Sequence, residues 1–362
     1  MSGLLEVPVS PDCEGLLRNI RREGTPARTH FIELFLDPEV QEAVCERFDL
    51  LSGLDPGDPF FGEKRQVAIQ TFLGYDSVRC GLEGLAMPLR REETPDTAEL
   101  SRMGGRSFVD EHAGPITSWE EFERYPWPDP ERASTRALEW YEERLPEEMC
   151  VIGSGGFAHF AEYLTWLMGY ETLCLALYDD RDLVAAISRK LLEMYRVVLS
   201  RMLAFDCVRI IWGSDDMGFR TSTLISPDDL REFVLPGHKM LAAMSHAVGR
   251  PYLLHCCGKI DLIMEDLIED VGIDAKHSFE DTIESVIDAK ARFGDRIALL
   301  GGIDVDFLCR ADESAIRGRV RETLEACLPG GGYCLGTGNS VANYIPLDHY
   351  LWMLDEGRRF TA

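Results

Sequence analysis

The residues best suited to chemistry lie in the stretch Pro251–Gly258, PYLLHCCG. Tyr252, Leu253 and Leu254 read as a short buried strand that ends in His255, Cys256 and Cys257. Side chains alternate faces along a strand, so His255 and Cys257 share one face and Cys256 points away. A neutral imidazole and a thiolate on one side of a strand end supply two of the three protein ligands of a catalytic zinc. Cys334, in GGGYCLGTGNSV, ends another strand-like run and is the third candidate ligand, while Asn339 in the same run is a candidate cofactor-facing residue. A His-x-Cys pair alone is equally what an apolar strand end with a buried thiol looks like. The elements around it must decide.

Composition bounds those elements. The chain has 362 residues, 45% hydrophobic and 28% charged, enough for one large domain or two smaller ones. The expectation is one domain over 1–362, with residues 85–130 as an excursion. No apolar run reaches membrane-spanning length, and no basic segment followed by an apolar core opens the chain. The eleven cysteines are scattered through apolar runs without a framework pattern, which fits reduced thiols and a cytoplasmic location. The net charge of −26 repels phosphate backbones and anionic membranes, so neither nucleic acid nor membrane is expected as a partner.

Along the chain, eight strand candidates alternate with helices. They are His30–Leu36, Tyr75–Leu82, Met149–Gly156, Cys207–Trp212, Tyr252–Leu254, Ile273–His277, Arg296–Gly301 and Gly332–Gly336. A polar helix near the N-terminus precedes them, and the long excursion at 85–130, rich in turn signals, follows the second. Helices are expected over 182–205, from Ser226-Pro227 towards Val248, and over 259–269. Eight such units predict an α/β fold of the (β/α)8 TIM-barrel type. A doubly wound open sheet is the competitor, but no glycine-rich dinucleotide fingerprint follows the first strand.

A barrel of this kind places its active site at the C-terminal ends of the strands. Glu33, Asp215, Asp216, His255, Cys257, His277, Asp304 and Cys334 all fall at or just beyond those ends. Cys334 would then face His255 and Cys257 across the mouth. Glu33, Asp215 and Asp216 are the candidate catalytic carboxylates, Glu33 because a carboxylate inside an apolar strand needs a partner. For Asp215 and Asp216 the plainer role is a loop or helix cap, and for His277 a satisfied core histidine. Phe157, Trp166, Trp212 and Tyr333 are candidates for an aromatic mouth lining or, more simply, core packing.

WGSDDMGFRTSTLISPDDLREFVLPGHKML, followed by PYLLHCCGKIDLIMEDLIEDVGID, resembles the uroporphyrinogen decarboxylase superfamily, well from Met149 onwards and loosely before it. The arginine- and glycine-rich N-terminal stretch of the true decarboxylases has no counterpart in ARTHFIELFLDP. The His-x-Cys and distant Cys of the corrinoid-dependent methyltransferases are matched by His255, Cys257 and Cys334. That resemblance implies zinc, held by those three residues, and methyl transfer between a small methylated substrate or thiol and a corrinoid on a separate carrier protein. No Asp-x-His-x-x-Gly motif for binding cobalt's lower face is present, so a separate carrier is expected. Glu33 or Asp216 is a candidate fourth ligand. The alternatives are a cofactor-free decarboxylase, which needs a basic pocket where Arg220 and Arg310 are the nearest arginines, and a non-catalytic small-molecule-binding barrel.

Overall fold

A computed structural model describes residues 3–102 and 105–361. Its main sheet has seven parallel strands in the order β1 (Ser77–Cys80), β4 (Cys150–Gly153), β5 (Val208–Ser214), β6 (Tyr252–His255), β7 (Ala275–His277), β8 (Ala298–Leu300) and β9 (Tyr333–Cys334). Two further strands, β2 (Arg91–Thr94) and β3 (Arg106–Val109), form a separate antiparallel hairpin. The eighth barrel position is taken by residues 30–36. They meet the far edge through parallel bridges Phe31 to Leu335 and Leu36 to Val341, with Ile32 N–H donating to Leu335 O at 2.9 Å. The fold is therefore the expected TIM barrel, with its first strand reduced to isolated bridges.

Alternation explains the interior. Ile152, Ile210, Trp212, Leu253, Ala275, Ala298, Leu300 and Cys334 point inward and form one apolar cluster with Leu16, Leu17 and Ile20 of helix α1 (Cys13–Ile20). The helix closes the N-terminal end of the barrel. Cys13 N–H donates to Glu148 O, just before β4, and Gly332 N–H to Asn19 O, just before β9. Two steps along β6 and β7 from the apolar layer, the inward row continues with His255 and His277. The polar side chains at the mouth thus sit on the same faces as the core beneath them.

The excursion lies over the opposite, C-terminal end. Arg106 bonds Asn343 Oδ1 at 2.6 Å and Asp37 at 3.2 Å, and Arg102 makes a forked pair with Glu39 at 2.7 and 3.0 Å. Two expected helices differ. The one from Ser226 divides at Val234 into Pro227–Phe233 and Leu235–His246, because Pro236 has no N–H to continue the first. The one expected over 259–269 is a short wide turn, Asp266–Val271.

Asp76, fully buried, ties the bottom plug to the sheet. It accepts from Asp12 N–H at 2.7 Å and His30 Nδ1 at 2.7 Å, and it pairs with Arg28. Removing it leaves the part-buried Asp12 N–H without its acceptor, and His30 and Arg28 without their carboxylate. Asp76→Ala is expected to cost roughly 3–5 kcal/mol, measured as a fall in the urea midpoint at unchanged slope.

Candidate metal centre

Two loops make the centre because two glycines let their backbones touch. A Cβ on Gly258 would lie 2.3 Å from Gly218 C, and one on Gly218 would lie 2.7 Å from Cys257 O. Lys259 N–H donates to Phe219 O across the same contact at 2.7 Å. The loop after β5 is thereby pressed onto the loop after β6, and Cys257 N–H donates to Asp216 Oδ1 at 3.0 Å. Cys257 Sγ lies 3.2 Å from His255 Nε2, and His255 Nε2 lies 3.7 Å from Asp216 Oδ1. One donor atom from each of Asp216, His255 and Cys257 falls within 4.8 Å of the others.

The hydrogen bonds behind His255 decide which nitrogen faces this group. His255 Nδ1 and His277 Nδ1 are 2.7 Å apart, so one donates and the other accepts. His277 Nε2 points towards the Thr337 carbonyl without completing a hydrogen bond. The 2.7 Å contact is satisfied when His255 Nδ1–H donates to His277 Nδ1, which leaves Nε2 as the unprotonated nitrogen of His255. The lone pair of His255 Nε2 then faces Cys257 and Asp216. This is the orientation a metal-binding imidazole requires, with a second residue holding its other nitrogen. Burial, then the neighbouring His277, pushes the His255 pKa well below its ordinary value and keeps the ring neutral.

Cys257 is a thiol in the unmetallated protein. Burial, reinforced by the Asp216 carboxylate, pushes its pKa well up. Ser278 Oγ and Asn339 Nδ2 approach its sulfur at 3.5 and 3.4 Å. Ser278 holds φ at +87°, a strained value for a residue with a side chain. A dication at this point would reverse the local preference and stabilise the thiolate, releasing the proton. The donor set of one imidazole, one thiolate and one carboxylate fits zinc.

Cys334 is not part of this group, against the expectation. The pairings His255 with His277, His277 with Leu300 and Leu300 with Cys334 put all four in one hydrogen-bonded row. Barrel strands tilt by roughly 36°, so three steps across the sheet amount to roughly 8 Å along the axis. Cys334 therefore sits low, fully buried, with Asn19 Nδ2 of the bottom plug 3.3 Å from its sulfur. The height of Cys257 is regained roughly five residues further along the chain, at Asn339, which reaches in.

The other residues named from the sequence divide clearly. Asp215 is fully buried and accepts from the N–H groups of Phe160, Ala161 and Glu162 at 2.9–3.0 Å and from His238 Nε2 at 2.9 Å. It anchors the helix Ala161–Met168 by its N-terminal donors and has no free oxygen for catalysis. Asp304 caps the helix Val305–Arg310. Trp166 lines a cavity of about 450 Å³ with Tyr170, Phe219 and Asp216. Phe157 and Tyr333 are core, and Trp212 packs inside the barrel. Two features were missed. A hydrogen-bonded His159–Glu162 pair stands beside Asp216, with the Glu162 pKa pushed up to about 7 chiefly by burial. Arg79, not Arg220 or Arg310, is the arginine inside the barrel, its guanidinium 4.3 Å over the Trp212 ring. Period-two reading of SVRC, with Val78 outward, would have found it.

A parallel α/β barrel whose mouth gathers nitrogen, sulfur and oxygen donors defines a candidate metal-dependent barrel enzyme. The model of the uroporphyrinogen decarboxylase (URO-D) family matches residues 109–360, and the chain belongs to that family. Within it, the chain is 33% identical over 130 residues to a methylated-thiol–coenzyme M methyltransferase of Methanosarcina mazei, covering 36% of this chain and 32% of that protein. It is 32% identical over 127 residues to the methylcobamide:CoM methyltransferase MtaA of Methanosarcina barkeri, covering 35% of each. The matches thus span about a third of these curated relatives. A solved methyltransferase from Methanosarcina mazei shares the fold, with a TM-score of 0.67 at 18% identity over 95% of this chain and 97% of that one. No helix among the described residues is long and apolar enough to cross a membrane.

Glu33 lies outside the cluster. Its carboxyl is turned to Thr337, meeting the N–H at 2.8 Å and Oγ1 at 2.5 Å. Burial raises its pKa to about 8, so it is largely protonated in the folded protein at neutral pH. A raised folded-state pKa gives stability that is complete below the unfolded value of 4.5 and is lost as the pH rises to about 8. Glu33→Gln removes that dependence. Between pH 5 and pH 8 the wild type is expected to lose stability relative to Glu33→Gln, by on the order of a few kcal/mol, measured by denaturant titration of both proteins at the two pH values.

Proposed function

We propose that this protein is a zinc-dependent methyltransferase that moves a methyl group between a small methylated substrate or thiol and a corrinoid carried on a separate protein. The observation that carries the reading is the convergence of Asp216, His255 and Cys257 at the C-terminal mouth, with His255 Nε2 turned inward by His277. The relatives named as methyltransferases supply the reaction class.

Asp216, His255 and Cys257 would hold the metal. Asn339, with its carboxamide turned over, would present an oxygen to the same point; amide nitrogen and oxygen differ only by that rotation. Zinc bound there supplies Lewis acidity, stabilising a thiolate or a departing alkoxide at neutral pH.

The chain's own residues do the rest. His277 fixes the imidazole, the Cys257 backbone N–H fixes Asp216, and Ser278 fixes the sulfur. Asp216 also opens onto the cavity shared with Trp166, Tyr170 and Phe219, a wall suited to an apolar methyl-bearing group. Glu162, facing the same cavity and poised near neutrality, is placed to take a proton from an incoming thiol. The excursion over the mouth, pinned by Arg102 and Arg106, is the surface we assign to the carrier protein or to a lid. The cytoplasm suits eleven unpaired thiols and a thiolate ligand.

Metal analysis of the purified full chain tests the reading. About one zinc per chain is expected in the wild type, lost in Cys257→Ala and kept in Cys334→Ala. Methyl transfer from methylcobalamin to a thiol is expected to follow the zinc, abolished in the first variant and retained in the second. Zinc lost equally from both, or absent from the wild type after zinc is supplied, would overturn the assignment.

A further inference from the structure

The cavity beside the metal centre has a wall and a charge of its own. Its volume of about 450 Å³ lies within the range of small-ligand sites, roughly 300–1,000 Å³. Glu162, Thr165 and Trp166 line it from the helix Ala161–Met168, standing at i, i+3 and i+4 and so on one face. Tyr170 Oη donates to Leu224 O at 2.6 Å, which ties its ring to the loop after β5. That loop is braced, with Phe219 N–H donating to Ser222 O at 2.7 Å and Leu224 N–H to Met217 O at 2.9 Å. Phe219 is nonetheless 63% exposed. Among the described residues no lysine or arginine covers the rings of Trp166, Tyr170 or Phe219, whereas Trp212, Phe279 and Phe307 each carry one.

Glu111, Glu162, Glu171 and Asp216 line the cavity, and no lysine or arginine does; His112 is the one basic side chain. Glu162 bonds His159, and Asp216 lies 3.7 Å from His255, but none of the four pairs with a lysine or arginine among the described residues. Asp37 and Glu39, under the excursion, are by contrast matched by Arg106 and Arg102. The four are also spread. Among the described residues only Asp216 of these belongs to a group of donors close enough to grip a small metal ion. Spread negative charge and open aromatic faces suit a large, weakly hydrated cation, whose methyl groups pack on the rings. Thr165 adds a polar point. It is 8% exposed, its hydroxyl has no hydrogen-bond partner among the described residues, and its remaining surface opens onto the cavity. A polar group on the ligand would satisfy it. We infer that this cavity binds a small methylated onium ion, a quaternary ammonium or a tertiary sulfonium that also bears a hydrogen-bonding group, and that this ion is the methylated substrate. The onium site stands on the rings, the unpaired carboxylates and the free hydroxyl; the ion's role as methyl donor rests on the methyltransferase reading.

Calorimetric titration of the zinc-supplied full chain tests this, with choline and hydroxyethyl dimethylsulfonium against dimethylbutanol, the neutral alcohol in which carbon replaces the choline nitrogen. The onium ions are expected to bind at least about 10-fold more tightly than the alcohol, and potassium at equal concentration is expected not to displace them. The tighter of choline and the sulfonium identifies the onium class. Phe219→Ala, at an exposed position, and Trp166→Leu each remove most of the preference, and Glu171→Gln removes part of it. Equal affinity for choline and its neutral isostere in the wild type overturns the inference, and that comparison needs no variant to fold. So does a preference that survives both ring variants, or displacement by potassium, which would leave only an acidic patch. Metal content separates the two readings. An onium preference in a wild type that holds no zinc would sink the methyltransferase reading and leave the onium site. Zinc held, with methyl transfer from methylcobalamin to a thiol but no onium preference, would do the reverse.

Discussion

Strands that close into a barrel must tilt, and tilt converts register into height. His255, His277, Leu300 and Cys334 share one hydrogen-bonded row, yet the row begins at the mouth and ends against the bottom plug. The same geometry raises the segment after β9 to the level of Cys257 and brings Asn339 within 3.4 Å of its sulfur. The apolar layer below and the polar layer above are thus one set of inward faces, cut at an angle. Neither layer can move without the other, because each strand contributes to both.

Within that frame the mouth is electrically unusual. Over the whole chain, 63 acidic residues outnumber 37 basic ones. Inside, the neutral histidines, the Cys257 thiol and the Glu33 carboxyl are all held in uncharged forms, principally by burial. Asp216 and Arg79 are the groups there with hydrogen-bonding capacity to spare. Asp215, by contrast, spends its carboxylate on four donors and is structural. The difference between adjacent aspartates is one of direction: successive residues leave a strand on opposite sides, and only Asp216 faces the Cys257 loop.

Much of this was legible in the sequence. Apolar runs and turn signals located all eight barrel positions, and alternation within YLLHCC put His255 and Cys257 on one face. What failed was the step from strand end to height. Cys334 ends its strand as His255 does, but strand shear is a property of the closed sheet and leaves no mark in either segment. Asp216 was named for its position, whereas its selection over Asp215 depends on Gly218 and Gly258 letting two loops touch. Arg79 was missed for a simpler reason. A lone arginine in a short strand reads as a surface residue unless Val78 and Cys80 are used to set the face.

The donor set has a chemical consequence of its own. A centre with two thiolates places much charge on the metal, whereas one thiolate, one carboxylate and one imidazole place less, since the carboxylate is the harder and more weakly donating ligand. Zinc held by Asp216, His255 and Cys257 would remain formally neutral but be the stronger Lewis acid. It would favour the polarisation of an oxygen or the deprotonation of a thiol over exchange of soft ligands. The cost appears in selectivity: a mixed set discriminates less sharply against other divalent ions than a thiolate-rich one. The strain at Ser278 and the imidazole held from behind by His277 resist that loss, because they fix the positions of the donors before any ion arrives.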